Sequence, residues 1–193
     1  LNEGEGNWAY DKAPGSMDLL LSGTSWKRPD GISMEIKGDK GLRLKAEMFT
    51  RIKDLDYTLS FWFRTNDGNA TLLSNGEAKY GQADQLNIGI KDSILYVRSQ
   101  GFERKISALV SEGSWHHFAM TVSRSQNVSN VYVDKKLVES FPADSVGGIV
   151  GDHIALGATY VDKNTPTNVL KGHIDEVGMY ESVLPLNLIK EFY

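Results

Sequence analysis

The amino-acid sequence predicts an all-β fold: a two-sheet antiparallel sandwich or jelly roll of about a dozen strands, ending in a short C-terminal helix. Three observations carry that prediction. Apolar and polar side chains alternate with period two through several segments, most clearly residues 57–64. Nineteen glycines against five prolines, with eight Tyr, seven Phe and four Trp, suit short strands joined by tight turns. Helical signal is nearly absent before residue 184. At 193 residues the whole chain, 1–193, fits one all-β domain, with residues 1–30 as an arm packed on the sandwich.

Bulk properties exclude several function classes. A net charge of −4 and a pI of about 5.6 leave no basic stripe to displace counterions, so no nucleic acid is expected as partner. The absence of cysteine removes disulfides, zinc–thiolate sites and cysteine nucleophiles together. No run approaches the roughly 18 apolar residues of a transmembrane segment. The chain begins at Leu1 without a signal peptide, which reads as a processed or truncated form.

Taken in order, residues 1–29 are the least patterned. Asn7-Trp8-Ala9-Tyr10 reads as a short edge strand, and Trp26, beside Lys27 and Arg28, is the aromatic of this arm with polar flanks. Ile32, Met34 and Ile36 alternate with Ser33, Glu35 and Lys37. After Gly38-Asp39-Lys40-Gly41, Leu42 and Leu44 resume the alternation, which predicts a hairpin. Residues 56–65 form the strongest strand. Tyr57, Leu59, Phe61 and Phe63 lie on one side, and each is worth roughly 1.5–3 kcal/mol when buried. Trp62 shares the opposite side with Ser60 and Arg64, either under a loop or lining an outer surface.

Residues 70–75 are a short strand and residues 76–84 a polar loop containing Tyr80. Strands follow at 86–90, 94–99 and 102–107, with Leu95 and Val97 opposite Tyr96 and Arg98. Residues 115–123 place His116, Phe118, Met120 and Val122 against Trp115, His117, Ala119 and Thr121. Both faces are largely apolar, as expected of a strand well inside a sheet. Residues 130–138 read as a hairpin with a two-residue tip, 153–158 as a strand, and 160–168 as a polar loop.

The last strand, Gly172-His173-Ile174-Asp175-Glu176-Val177-Gly178-Met179-Tyr180, carries two adjacent carboxylates. Neighbouring strand residues point to opposite faces. The apolar pattern slips from Ile174 to Val177 and Met179, as one inserted bulge residue would cause. A carboxylate beside a bulge either accepts the freed backbone N–H groups or binds a hard cation, and both readings stand.

Five phrases in series resemble the laminin-G-like domains of the concanavalin A-like lectin/glucanase superfamily. They are the segments starting at Tyr57, Ser114, Val131, Ile154 and Gly172, followed by a terminal Leu184, Ile189 and Phe192. The resemblance covers residues 56–192 and implies two antiparallel sheets, one of them concave, with loops at the rim. It implies a non-catalytic binding module for glycans or proteins, working extracellularly, at the cell surface or in the periplasm, where bacterial members commonly sit. It also implies a structural calcium, as in some relatives, held by Asp175 and by carbonyls from the Gly38 turn and the N-terminal arm. The departure is Lys135, where the family's hairpin tip has glycine; lysine resists positive φ, so the turn type stays open.

Carbohydrate binding needs an exposed ring to stack on a pyranose, with polar groups around it for the hydroxyls. The aromatic candidates are Trp26, Trp62, Tyr80, Phe102 and Tyr160; the polar ones are Asn66, Asp84, Gln85 and Arg98. The enzymatic alternative is a glycoside hydrolase of the laminarinase-like jelly-roll type, which needs two carboxylates about 5–5.5 Å apart for retention. Glu35 with Asp39 spans a turn glycine, and Asp175 with Glu176 has the wrong parity unless the bulge corrects it. Neither matches the Glu-x-Asp-x-x-Glu arrangement of those enzymes. His116 and His117 face opposite ways and read as packed strand residues bonded to backbone. The sequence therefore predicts a non-catalytic module with a glycan or protein ligand, with a purely structural accessory domain as a third reading.

Overall fold

The computed structural model describes residues 8–9, 19–20, 24–27, 33–38, 40–45, 55–75, 86–148, 153–162 and 164–191. In chain order the strands begin with β1 (Trp8–Ala9), β2 (Leu19–Leu20), β3 (Thr24–Lys27), β4 (Ser33–Lys37), β5 (Leu42–Lys45) and β6 (Tyr57–Thr65). They continue with β7 (Ala70–Asn75), β8 (Leu86–Lys91), β9 (Ile94–Ser99), β10 (Phe102–Leu109), β11 (Trp115–Ser123) and β12 (Val128–Val133). The last are β13 (Lys136–Phe141), β14 (His153–Leu156), β15 (Thr159–Asp162), β16 (Thr165–Thr167) and β17 (Lys171–Tyr180), followed by helix α1 (Leu186–Glu191).

Two antiparallel sheets make the predicted sandwich. The larger has seven strands in the order β13-β12-β11-β6-β17-β4-β3, and the smaller has six in the order β10-β9-β8-β7-β14-β5. Between them lies one continuous core. Tyr57, Leu59, Phe61 and Phe63 of β6 are buried there against Leu72, Ile88 and Val97 of the smaller sheet. Phe61 and Phe118, paired in register across β6 and β11, stack with ring centroids 5.0 Å apart.

Two expectations are overturned. Residues 33–45 are not a hairpin: β4 pairs with β3 and β17, whereas β5 pairs with β14 in the other sheet. The turn at Gly38 carries the chain from one layer to the other. Alternation specifies one buried face on each strand, and a strand of either sheet satisfies that equally. Residues 160–168 are not a loop either, since β15 and β16 form an antiparallel ribbon. From the N-terminal arm, β3 joins the larger sheet as an edge strand, while β1 and β2 pair with each other.

The bulge in β17 is present. Asp175 opposes Trp62 and Gly178 opposes Ser60, so three steps on β17 match two on β6. Glu176 takes the extra step at φ 47°. The slip turns Val177 and Met179 onto the core side with Ile174. The 134–135 tip is a type I′ turn, with Asp134 at φ 48° and Lys135 at φ 67° despite its side chain.

Candidate functional site

On the outer face of the larger sheet, register assembles a row from four neighbouring strands. Glu35 of β4 opposes His173 of β17, His173 opposes Arg64 of β6, and Arg64 opposes Trp115 of β11. Direct cross-strand neighbours stand about 4.5–5.5 Å apart, so the four side chains form one continuous strip. Trp115 and His173 meet edge-on at 5.9 Å between ring centroids, and the Arg64 guanidinium lies 5.5 Å from the Trp115 ring. The next row holds Asp175, Trp62 and His117, with the Trp62 and His117 rings 5.2 Å apart. Trp62 and Trp115 are both half-buried.

Beside this strip opens a cleft of about 650 Å³, lined by Glu35, Lys37, Arg64, Asn66, Lys171 and His173. That volume lies within the range of small-ligand sites. Its wall at residues 111–114 folds back onto the end of β6, where the Gly113 N–H donates to the Thr65 carbonyl at 2.9 Å. Gly113 sits at φ 82°, and a Cβ on it would lie 2.7 Å from Asn66 Oδ1. Glycine is needed there for both reasons.

Farther along the same face the surface closes. Ile189 of α1 and Leu184 pack on Ala119 and Tyr132. The Thr58 hydroxyl donates to the Ser182 carbonyl at 2.7 Å and accepts the Leu184 N–H at 2.9 Å. The C-terminal segment thus seals the Thr58–Ala119 end of the sheet, while Trp62 and Trp115 toward the other end are half-buried.

The histidines face opposite ways, and both bond to side chains, not to backbone as the sequence suggested. His116 Nδ1 lies 2.8 Å from Asp134 Oδ2 and its Nε2 lies 2.7 Å from Glu112 Oε1. His117 Nε2 shares a 2.8 Å hydrogen bond with the Ser60 hydroxyl. Burial pushes the His117 imidazole down to about 4, against a smaller opposing pull from Asp134. Ser60 and His117 are 2% and 1% exposed, too enclosed to meet a substrate carbonyl.

The structure scatters the remaining candidates. Tyr160 is buried, not an exposed platform: its hydroxyl donates to the Gly41 carbonyl at 3.0 Å. Arg98 is half-buried on the outer face of the smaller sheet, its guanidinium 5.8 Å from the Tyr96 ring. Phe102 packs toward the core against Phe141. Trp26 lies on the edge strand β3, where its backbone pairs in register with Met34. Tyr80, Asp84, Gln85 and Asp39 lie outside the described residues, and with Asp39 so does the Glu35–Asp39 pair.

Of the residues expected to hold calcium, those of the N-terminal arm lie largely outside the described residues, and the described two, Asp175 and Gly38, stand apart. Asp175 Oδ1 accepts the Glu176 N–H at 2.9 Å, the backbone-satisfied alternative. Gly38 follows Lys37, which opposes Lys171, four residues before Asp175 and about 13 Å away along the strand. The Lys171 side chain also packs over Gly38, where a cation would meet an ammonium-bearing chain. Among the described residues no three His, Asp or Glu side chains gather to hold a metal, and no helix is long and apolar enough to cross a membrane.

Sequence reasoning missed Trp115, Lys37, Lys171 and His173 as site residues. Their parity was readable, but their convergence depends on β17 lying between β4 and β6, which no local pattern encodes.

Comparison with known proteins agrees with this architecture. A laminin G family model of the Concanavalin A-like lectin/glucanases superfamily matches residues 37–190. No curated protein sequence matches the chain. Among solved structures, the CBM40 of the Ruminococcus gnavus IT-sialidase superposes with a TM-score of 0.70 at 18% identity, covering 83% of this chain and 95% of that one. It has also been solved bound to α2,3- and α2,6-sialyllactose. Domain 4 of AbnA, a GH43 extracellular arabinanase from Geobacillus stearothermophilus solved with arabinotriose, gives a TM-score of 0.63 at 19% identity, covering 89% and 82%. The binding domain of Paraclostridial Mosquitocidal Protein 1 gives 0.66 at 16% identity, covering 96% of this chain and 51% of that one. With the family model covering most of the sandwich, the chain belongs to the laminin G family of the concanavalin A-like superfamily.

Proposed function

We propose that this chain is a non-catalytic carbohydrate-binding module acting outside the cytoplasm, with its sugar on the open end of the larger sheet. The observation that carries the reading is the strip of Trp115, Arg64, His173 and Glu35 beside Trp62. Half-buried rings offer faces to the C–H groups of a pyranose, and the flanking cations and carboxylate match its hydroxyls. The side chains stand on paired strands, so they are positioned before a ligand arrives. Solved neighbours that carry arabinotriose or sialyllactose on the same fold support it. The one adjacent acid pair on the described strands, Asp175 and Glu176, is split by the bulge, with Asp175 accepting the Glu176 N–H.

The test is a screen of immobilised polysaccharides, run with and without calcium, followed by calorimetry on the best ligand. Trp115→Ala is expected to weaken that ligand about tenfold, the order set by losing ~1.5 kcal/mol of buried ring. Reducing-sugar release by the wild-type protein would end the non-catalytic reading. Unchanged affinity in both Trp115→Ala and Trp62→Ala would move the sugar off this face.

A further inference from the structure

We propose that the cleft selects an anionic sugar, its charge held between Lys37 and Lys171; this rests on the glycan reading above. The two lysines are direct cross-strand partners on the outer face of β4 and β17, and both are exposed. Like charges directly opposite one another destabilise a sheet. The chain as a whole carries a net charge of −4, so no general excess of cations accounts for the pairing. Arg64 joins them from β6, and among the lining residues only Glu35 carries a carboxylate. An anion in the cleft relieves the lysine–lysine repulsion, whereas a neutral sugar leaves it in place.

The surroundings hold one of the two lysines in position. A Cβ on Gly38 would lie 2.6 Å from Lys171 Cγ and 2.7 Å from its Cε, so the missing side chain is the space in which the lysine stem lies. Gly38 has φ 87°, a backbone state that also favours glycine. A lysine held along its stem loses less rotamer freedom on binding than a free one. Gly38, which the sequence suggested as a calcium donor, thus makes room for this lysine stem. The Trp115 ring stands across Arg64 from the cleft, edge-on to the lining residue His173. The shared chemistry is a pyranose bearing a carboxylate or a sulfate ester.

The experiment titrates the intact chain with tetragalacturonate, 3′-sialyllactose and a heparin tetrasaccharide, against lactose and cellotetraose as neutral probes. The expected result is at least one acidic probe bound about tenfold more tightly than the neutral ones, with affinity falling as salt is raised. The double variant K37Q/K171Q should lose about tenfold toward that probe and little toward the neutral ones. K105Q/K136Q, which removes the same charge from exposed edge strands, should change neither. Which acidic probe binds separates carboxylate from sulfate. Neutral and acidic sugars bound alike, or acidic binding indifferent to K37Q/K171Q, overturns the inference and leaves the glycan reading intact. No binding to any acidic probe overturns the inference, and the polysaccharide screen then decides the glycan reading by itself.

Discussion

The outer faces of the two sheets start from the same alternating pattern and end in opposite states. On the smaller sheet the polar side chains bond to one another. The Tyr96 hydroxyl donates to Asn87 Oδ1 at 2.8 Å, Asn87 Nδ2 donates to Thr159 Oγ1 at 2.9 Å, and the Ser74 hydroxyl donates to the Ala158 carbonyl at 2.8 Å. The segment leading into β15 covers this layer, and Tyr160 ties it back to Gly41. On the larger sheet the C-terminal segment covers only the end at Thr58 and Ala119, and two tryptophans stand half-buried at the other. A polar strand face therefore says nothing of function by itself. What decides is whether a later segment of the chain lies across it.

The largest effects should separate the two faces by kind. Tyr160→Ala on the covered side is expected to cost about 3 kcal/mol of folding stability in urea unfolding, as a buried ring lost into a cavity does. Glycan affinity should not move. Tyr160→Phe, which removes only the hydroxyl bonded to Gly41, should cost about 1 kcal/mol. Trp115→Ala on the open side should show the reverse, with under about 1 kcal/mol of stability lost and binding impaired. A Trp115→Ala protein as destabilised as Tyr160→Ala would show that the open strip is core by another name.

A second contrast runs in depth on the larger sheet itself, since His117 is buried directly beside the half-exposed Trp62. Its imidazole, ordinarily near 6.5, is pushed down to about 4 in the fold. In the unfolded chain it takes a proton below 6.5, so protonation favours unfolding. The stability this group confers is complete above pH 6.5 and is lost as pH falls toward 4. The loss is on the order of 3 kcal/mol. Comparing unfolding at pH 7 and pH 4.5 checks this, because carboxylates titrate alike in wild type and in His117→Gln. The variant, lacking the ring, should lose about 2 kcal/mol less across that interval. An identical pH dependence in the two proteins would place His117 in contact with water.

Much of this architecture was legible from residues alone. The core side of β6, the two faces of β11 and the bulge after Asp175 all follow from period-two alternation and its one slip, which are local properties. The partners of each strand are not local. Residues 33–45 look like a hairpin because alternation with a glycine turn is what a hairpin needs, and a layer-crossing corner needs the same. Tyr160 looked like a ligand platform because polar neighbours surround it in sequence; in space it faces Gly41, which is 119 residues away. Trp62 was legible as outward-facing, but its companions Trp115, Arg64 and His173 come from strands brought together only by the order β11-β6-β17-β4.

The smallest predicted effect concerns the bulge that fixes that order's parity. Glu176 holds φ 47°, the left-handed region, at a cost of roughly 1–2 kcal/mol for a residue with a Cβ. Glycine relieves that strain, but the unfolded chain then gains freedom worth roughly 0.5–1 kcal/mol, which opposes it. The strain is the larger of the two, so Glu176→Gly should stabilise the fold by about 0.5–1 kcal/mol in urea unfolding. Binding at Trp62 should be unaffected, because the bulged residue is exposed and the Asp175–Trp62 register precedes it. A destabilised variant would mean that the Glu176 side chain contributes more to the bulge than its backbone costs. The parity that turns Val177 and Met179 inward would then depend on that carboxylate as well as on the inserted residue.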